Sequence, residues 1–454
     1  MAGSISPHAR NLLVLGLPLI GGNVAQMALH VCDTLLMGRY GVVELAALVI
    51  ASSSWFVVFI LGSGFAHAVM PLVAASLGSG DETQVRRDTR MGLWLSAIFG
   101  FATYPLFWFS QAILLDLGQK PEVAALGQDF LRIAAFGMVP ALMVAALRSY
   151  LAALGRTQVV LWVTLAGVGV NLVLAWVLIF GRLGAPELGV RGAALASVTV
   201  QVLTLVVMVI YALRLPELQK FHLFQRFWKI DQPAMARVFR LGWPIGVTGL
   251  AESGLFQATA LMMGWIGTVE LAAHGIVMQA AALAFVVHLG LSNATTVLTG
   301  RAAGAGEPQV LRDGAKAAIA LSLGFGVLII VLFLALPVPI LSAFIDTTKP
   351  EAPAILAFGT LLLAMAALFQ IADAMQVMAL GLLRGIQDTR VPMIAATVSY
   401  WLIGIPASYV LAFPLGWGGV GLWSGLTIGL VAAAASMMWR FWDRAPKLSA
   451  QGQA

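Results

Sequence analysis

Apolar runs of about 20 residues recur along the whole chain, and this pattern restricts its folding more than any other feature. Twenty residues is the helical length needed to cross a hydrocarbon core of about 30 Å. Backbone groups in lipid must bond internally, so spans are helices or a closed barrel. Barrel strands alternate polar and apolar residues over about ten positions, and these runs do not alternate. The 454 residues are 60% hydrophobic and only 10% charged, against roughly 25% charged in a typical soluble domain. The expectation is an all-α integral membrane protein with twelve transmembrane helices, at 11–37, 45–77, 91–114, 128–154, 159–181, 189–213, 238–262, 270–300, 315–345, 353–381, 392–413 and 418–440. The first run is too long for a signal-peptide core and lacks a small-residue cleavage site, so it reads as a retained helix.

An even number of spans puts both termini on one side. That side carries 20 of the 26 lysines and arginines, and the other side carries six. The positive-inside rule then makes both termini cytoplasmic. The net charge of +6 thus serves membrane orientation and does not call for nucleic acid. Residues 214–237, between spans six and seven, form the longest hydrophilic connection. Their mixture of basic and aromatic residues suits an amphipathic segment on the cytoplasmic leaflet. The chain divides accordingly into an N-terminal six-helix lobe (1–213), a cytoplasmic linker (214–237), a C-terminal six-helix lobe (238–440) and a cytoplasmic tail (441–454).

An internal repeat supports two pseudo-symmetric six-helix bundles. At an offset of 226 positions, Gly16 and Pro18 fall on Gly242 and Pro244, and Met37-Gly38 on Met263-Gly264. Glu44-Leu45-Ala46-Ala47 falls on Glu270-Leu271-Ala272-Ala273, and Gly78 and Gly80 on Gly304 and Gly306. Later, Leu147-Arg148 and Thr157 parallel Leu383-Arg384 and Thr389. Six spans per half give both halves the same orientation, a parallel repeat of a kind common in transporters.

Seventeen of the 20 acids fall in or beside loops, Asp346 among them, and three do not: Asp33, Glu252 and Asp373. At 1.5 Å per helical residue, Glu252 lies about 18 Å inward from Arg240 and Asp373 about 16 Å from Arg384, both near mid-bilayer. Asp33 is about 9 Å from Arg39, in the outer half. The reading places no basic side chain at their depth. Carboxylates so placed are costly and usually line a cavity or an ion path. They suit the uptake of a proton or, with backbone carbonyls, of Na⁺, and Glu252 with Asp373 can form one cation site. The repeat superposes Glu252 on Gln26 and Asp33 on Thr259, so the acids break the symmetry of the scaffold.

Other residues are read more plainly. His30 and Asp33 share a helix face and fit a hydrogen-bonded pair better than a metal site. Asn171 in span five is a candidate partner for Asp33. His67, His274 and His288 suit buried, satisfied positions. Pro18, Pro140, Pro244 and Pro406 lie within spans and can kink them. Gln26, Asn171, Phe65, Met263, Met278, Phe285, Phe369, Met375 and Met378 are candidates for an adaptable substrate chamber, since Met packs against many shapes. Packing or lipid contact is the plainer alternative for each. Cys32 is the single cysteine and has no intramolecular partner. No P-loop, nucleophile–base motif or HExxH occurs, which argues against ATP as energy source and against an enzyme.

Three stretches carry a resemblance: Cys32-Asp33-Thr34-Leu35-Leu36-Met37-Gly38, Leu147–Gly155 and Gly381–Thr389. They resemble signatures of the multidrug and toxic compound extrusion (MATE) transporters. Phe369–Val377 and Glu252 are similar to the NorM branch, and the likeness runs over roughly 10–440. It implies a V-shaped pair of bundles that alternates between outward-open and inward-open forms. It implies a monomer in a bacterial cytoplasmic (inner) membrane, using no cofactor, that exports cationic lipophilic compounds in exchange for inward Na⁺ or H⁺. It assigns cation binding to Glu252 and Asp373, and proton or cation binding to Asp33. Many NorM-type members have an aromatic hydroxyl where Phe369 stands, so this chain offers one fewer oxygen to Na⁺. The rival reading is a flippase for lipid or lipid-linked oligosaccharide, whose cavity would be lined by Arg and Lys; intramembrane acids favour cationic cargo.

Overall fold

The computed structural model describes residues 7–345 and 347–451. Asp346, the first residues of the expected N-terminal lobe and the last of the expected tail lie outside them. The twelve expected spans correspond to twelve long helices: α1 (Pro7–Tyr40), α2 (Val42–Gly78), α3 (Glu82–Ala102), α4 (Pro121–Ala153), α5 (Thr157–Phe180) and α6 (Val190–Arg214), then α7 (Gln232–Ile266), α8 (Thr268–Gly304), α9 (Pro308–Ala335), α10 (Ala352–Gly385), α11 (Arg390–Ala412) and α12 (Gly418–Gln451). Eleven are long and apolar enough to cross a membrane. The other is α7, which has the length at 35 residues but carries Glu252 and Gln257 in its central stretch.

Spans three and nine begin earlier than their hydropathy indicates. In α3 the Asp81 side chain accepts from the Gln84 N–H at 2.9 Å, an N-cap that starts the helix within polar sequence. In α9 Pro308 occupies the first turn, where a missing N–H costs nothing. Both also end early, before short helices at Tyr104–Trp108 and Pro337–Ser342, because Pro105 and Pro337 cannot continue the hydrogen-bond ladder.

The helix ends repeat as the residues do. Tyr40 and Ile266 close α1 and α7, Val42–Gly78 matches Thr268–Gly304, and Glu82 matches Pro308, all 226 apart. Gly80 and Gly306 both take positive φ, +76° and +69°, a conformation that glycine adopts without steric cost.

The contacts form two compact units. One comprises Gly21–Gly246, and the other Met1–Ile20 with Val247–Ala454. The first has a core of Met37, Leu48, Phe107, Leu131, Met138 and Ile179 with their neighbours. Small residues set its helix spacing: a side chain at Gly137 of α4 would come within 3.1 Å of Val198 on α6, a close approach typical of membrane helix pairs. The linker belongs to this unit. Phe221 and Leu223 are buried, the Trp94 indole donates to the Phe227 carbonyl at 2.7 Å, and Lys220 pairs with Glu82 at 2.6 Å.

The second unit has a larger core around Leu255, Val277, Leu362, Trp423, Leu426 and Phe441. Hydroxyls join α8 to α10: Ser292 donates to the Val377 carbonyl at 2.7 Å and Thr296 to that of Gly381 at 2.9 Å. Helix α11 widens into a π turn over Val398–Gly404, immediately before Pro406. Proline removes a ladder donor and crowds the preceding turn, and a π turn absorbs that mismatch. Helices α1, α4 and α7 run on through Pro18, Pro140 and Pro244.

Candidate functional site

The three intramembrane acids divide between the units. In the first, Asp33 sits on α1 at 9% exposure. Asn171 of α5 donates to its Oδ1 at 2.7 Å, and Ser197 of α6 reaches Oδ2 at 3.4 Å. The bond to Asn171 is the one expected from the sequence. Ser197 gave no signal there, since one hydroxyl in an apolar helix is common. His30 does not hydrogen-bond to Asp33 among the described residues; its ring meets Phe56 edge-on at 6.3 Å between centroids. Both residues border a cavity of about 110 Å³, closed partly by Trp55, Phe130 and Gln201. That volume admits a few waters or a small cation, whereas drug-sized ligands occupy about 300–1,000 Å³.

Gln26, also on α1, accepts a hydrogen bond from Arg148. The position matching Asp33 in the second unit, Thr259, turns its hydroxyl back to the Leu255 carbonyl at 2.9 Å. The acid of one repeat is thus replaced in the other by a bond within the helix.

The second unit holds the denser cluster. Glu252 on α7 and Asp373 on α10 lie close enough to interact electrostatically, as the pairing in the sequence anticipated. Asp373 is 1% exposed. Gln370, Asp373 and Gln376 recur every three residues along α10, which keeps them near one face. The Gln376 amide donates to the Tyr400 hydroxyl at 2.6 Å and also bonds Glu252. Tyr400 stands in the π turn and is fully buried. Next to it, the Trp401 indole donates to the Ala251 carbonyl at 3.1 Å, holding α11 against α7 beside Glu252.

Several buried polar atoms here have no hydrogen-bond partner among the described residues: Glu252 Oε1, Asp373 Oδ1, Gln376 Oε1 and both amide atoms of Gln370. Four of the five are acceptor oxygens. Such groups are rare in folded proteins, and each costs about 1–3 kcal/mol if left unmet. A set of oxygen acceptors is suited to a small cation or to protons.

One expectation is corrected. A basic side chain stands nearer the acids than the apolar runs imply, because Arg384 lies within electrostatic range of Glu252. The spans had been placed by apolar runs, and α10 continues to Gly385. Arg384 is therefore inside the helix, and its long stem reaches inward. Arg148 is likewise inside α4.

The chamber candidates are dispersed. Met263 and Phe369 are buried in the second core, with Phe369 edge-on to Phe256 and Trp423. Met378 is fully buried. Met278, Phe285 and Met375 are half-buried. Phe65 packs between Phe99 and Phe239 in the first unit. His274 accepts from the Trp423 indole at 3.1 Å, and His288 Nδ1 meets Ser322 at 2.9 Å; His67 is half-buried on α2.

The MatE family profile matches residues 18–177 and 244–410, once in each repeat. A protein of Rhizobium meliloti named "Probable multidrug resistance protein NorM" is 45% identical over 98% of this chain and 95% of its own. One of the same name from Agrobacterium fabrum is 43% identical over 97% and 95%. Among solved structures, a MATE transporter crystallised with MaL6 superposes with a TM-score of 0.88 at 20% identity, covering 98% of each chain. A eukaryotic MATE transporter does so with a TM-score of 0.84 at 20% identity and the same coverage. These structures share the fold.

Proposed function

Because the chain belongs to the MATE family of transporters, we propose that it is a multidrug exporter that exchanges cationic lipophilic compounds for inward Na⁺ or H⁺. Glu252 and Asp373 take up the coupling cation, helped by Gln370 and Gln376, and Asp33 serves as a proton or cation site in the first unit. The protein works as a monomer in a bacterial cytoplasmic membrane with both termini inside, without cofactor, enzymatic activity or nucleic acid. The linker 214–237 separates the two sequence repeats.

The observation that carries this reading is the set of acceptor oxygens around Glu252 and Asp373 that have no donor. An occupant that supplies positive charge or protons satisfies them. A state with the site filled and a state with it empty then differ in free energy, and a drug that favours one state is coupled to the ion that favours the other. The relatives named for multidrug resistance support the substrate class. Four acceptor oxygens on the acids and glutamines, and no atom of Arg384, are unpaired in this cluster among the described residues, which favours a cationic cargo over the phosphates of a flippase substrate.

The test is transport in proteoliposomes under an imposed pH or Na⁺ gradient. Movement of an ethidium-like dye should follow one of the gradients and collapse in Asp373→Asn and Glu252→Gln. Dye movement that ignores both gradients and survives both substitutions would overturn the antiport reading.

A further inference from the structure

A second concave site lies in the first unit, away from the acids. It is a cavity of about 510 Å³ between the start of α3, the linker and the start of α7. Five basic side chains border it (Arg86, Arg87, Arg90, Arg226 and Lys229) and one acid, Asp231. Asp231 is already committed: Arg87 donates to it, at 3.0 Å through Nη2, and its Oδ1 caps α7 through the Ala234 N–H at 3.2 Å. Beyond the Arg87–Asp231 pair, the lining holds four cations.

Arg90 shows that the cavity is built rather than a loose basic surface. Its side chain is 7% exposed. Nη1 donates to the carbonyls of Gln225 and Arg226 at 3.3 and 3.2 Å, while the buried Nε–H has no partner among the described residues. The side chains of Arg226 and Lys229 are exposed and have no hydrogen-bond partner among the described residues. The α7 N-terminus opens on the same space, adding a partial positive charge. A planar guanidinium with a free donor, beside other cations and a helix start, matches the geometry of a phosphate.

The linker also indicates where the phosphate comes from. Trp228 is 78% exposed and Ile230 51%, on either side of Lys229. Apolar and aromatic side chains next to basic ones are typical of the membrane–water boundary. The side concerned is the one rich in lysine and arginine, which faces the anionic cytoplasmic leaflet.

We propose that this cavity binds the phosphate of an anionic phospholipid headgroup and so fastens the linker to α3 at the cytoplasmic leaflet.

The test uses the purified full-length chain and counts retained lipid by native mass spectrometry. The probes are phosphatidylglycerol, phosphatidylcholine and inorganic phosphate. Phosphatidylglycerol should be retained over phosphatidylcholine, and the double variant R226Q/K229Q should weaken that retention on the order of thirtyfold, from the loss of two cations near an anionic surface. R312Q/K316Q, which removes two cations from α9, should leave it unchanged. Unaltered melting in phosphatidylcholine shows that both variants fold. Inorganic phosphate binding with the same sensitivity, and no preference between the lipids, overturns the lipid as occupant and assigns the phosphate to the aqueous phase. Equal retention in R226Q/K229Q and the parent, or equal losses in both double variants, overturns the proposal.

Discussion

The Gln376 side-chain amide donates a 2.6 Å hydrogen bond to the Tyr400 hydroxyl, tying α10 to the π turn of α11 beside Glu252 and Asp373. Tyr400→Phe removes the acceptor and leaves a buried N–H unmet. The variant should lose about 1–3 kcal/mol of stability, read as a lower melting temperature in detergent. It should also transport less per folded molecule, because Gln376 is then free to turn away from Glu252. A variant with unchanged melting would show that the bond does not order the cluster.

Gln370 separates a packing role from a binding one. It is fully buried and both amide atoms lack partners. If the amide only burdens the fold, Gln370→Leu gains up to about 1–3 kcal/mol of stability and leaves transport intact. The expected outcome is a gain in melting temperature together with a loss of coupled transport, measured on the same preparation.

Asp33→Asn keeps an oxygen for Asn171 but removes the charge. Melting should stay close to that of the parent. Gradient-driven transport should fall by on the order of tenfold or more, in line with about 1.5–3 kcal/mol for a hydrogen bond to a charged group. A parent-like pH profile of transport in this variant would remove Asp33 from the coupling path.

Helices α11 and α12 meet at Gly421. A side chain there would stand 2.6 Å from the Leu411 carbonyl carbon and 2.7 Å from the Ala412 nitrogen. Backbone cannot yield as a side chain does, so Gly421→Val should cost about 1–3 kcal/mol or more. Thermal unfolding and yield of the membrane-inserted protein would register it.

The linker should loosen in acid. The Arg87 guanidinium beside Asp231 holds that carboxyl below the ordinary aspartate range. A depressed folded value means the contribution is present above the ordinary aspartate pKa of about 3.9 and is lost as pH falls through the lower folded value. Emission from Trp228 and its neighbours should therefore shift at the acid end of a titration, and Asp231→Asn should abolish that shift.

The sequence made the acids conspicuous because a carboxylate within an apolar run has no ordinary explanation. Asp33, Glu252 and Asp373 were legible for that reason, and so was the repeat, whose glycines mark the same turns in both halves. Arg384 was misread because hydropathy ends a span where the backbone helix continues, and a long side chain reaches back into it. Tyr400 was missed because an aromatic in a membrane helix is unremarkable until α10 brings Gln376 against it. Gln370 and Gln376 had a usable signal, two amides flanking Asp373 at intervals of three. Met263 and Phe369 looked adaptable in sequence, but only packing could show them enclosed.

The division of contacts within α1 and α7 has a consequence for biosynthesis. Residues 7–20 pack in a unit whose other members begin at Val247. They leave the ribosome 226 residues ahead of those partners, the length of Gly21–Gly246. At about 5–20 residues per second, that is a wait of roughly 10–45 s. For that interval the early half of the first helix has only lipid or the insertion machinery against its packing face.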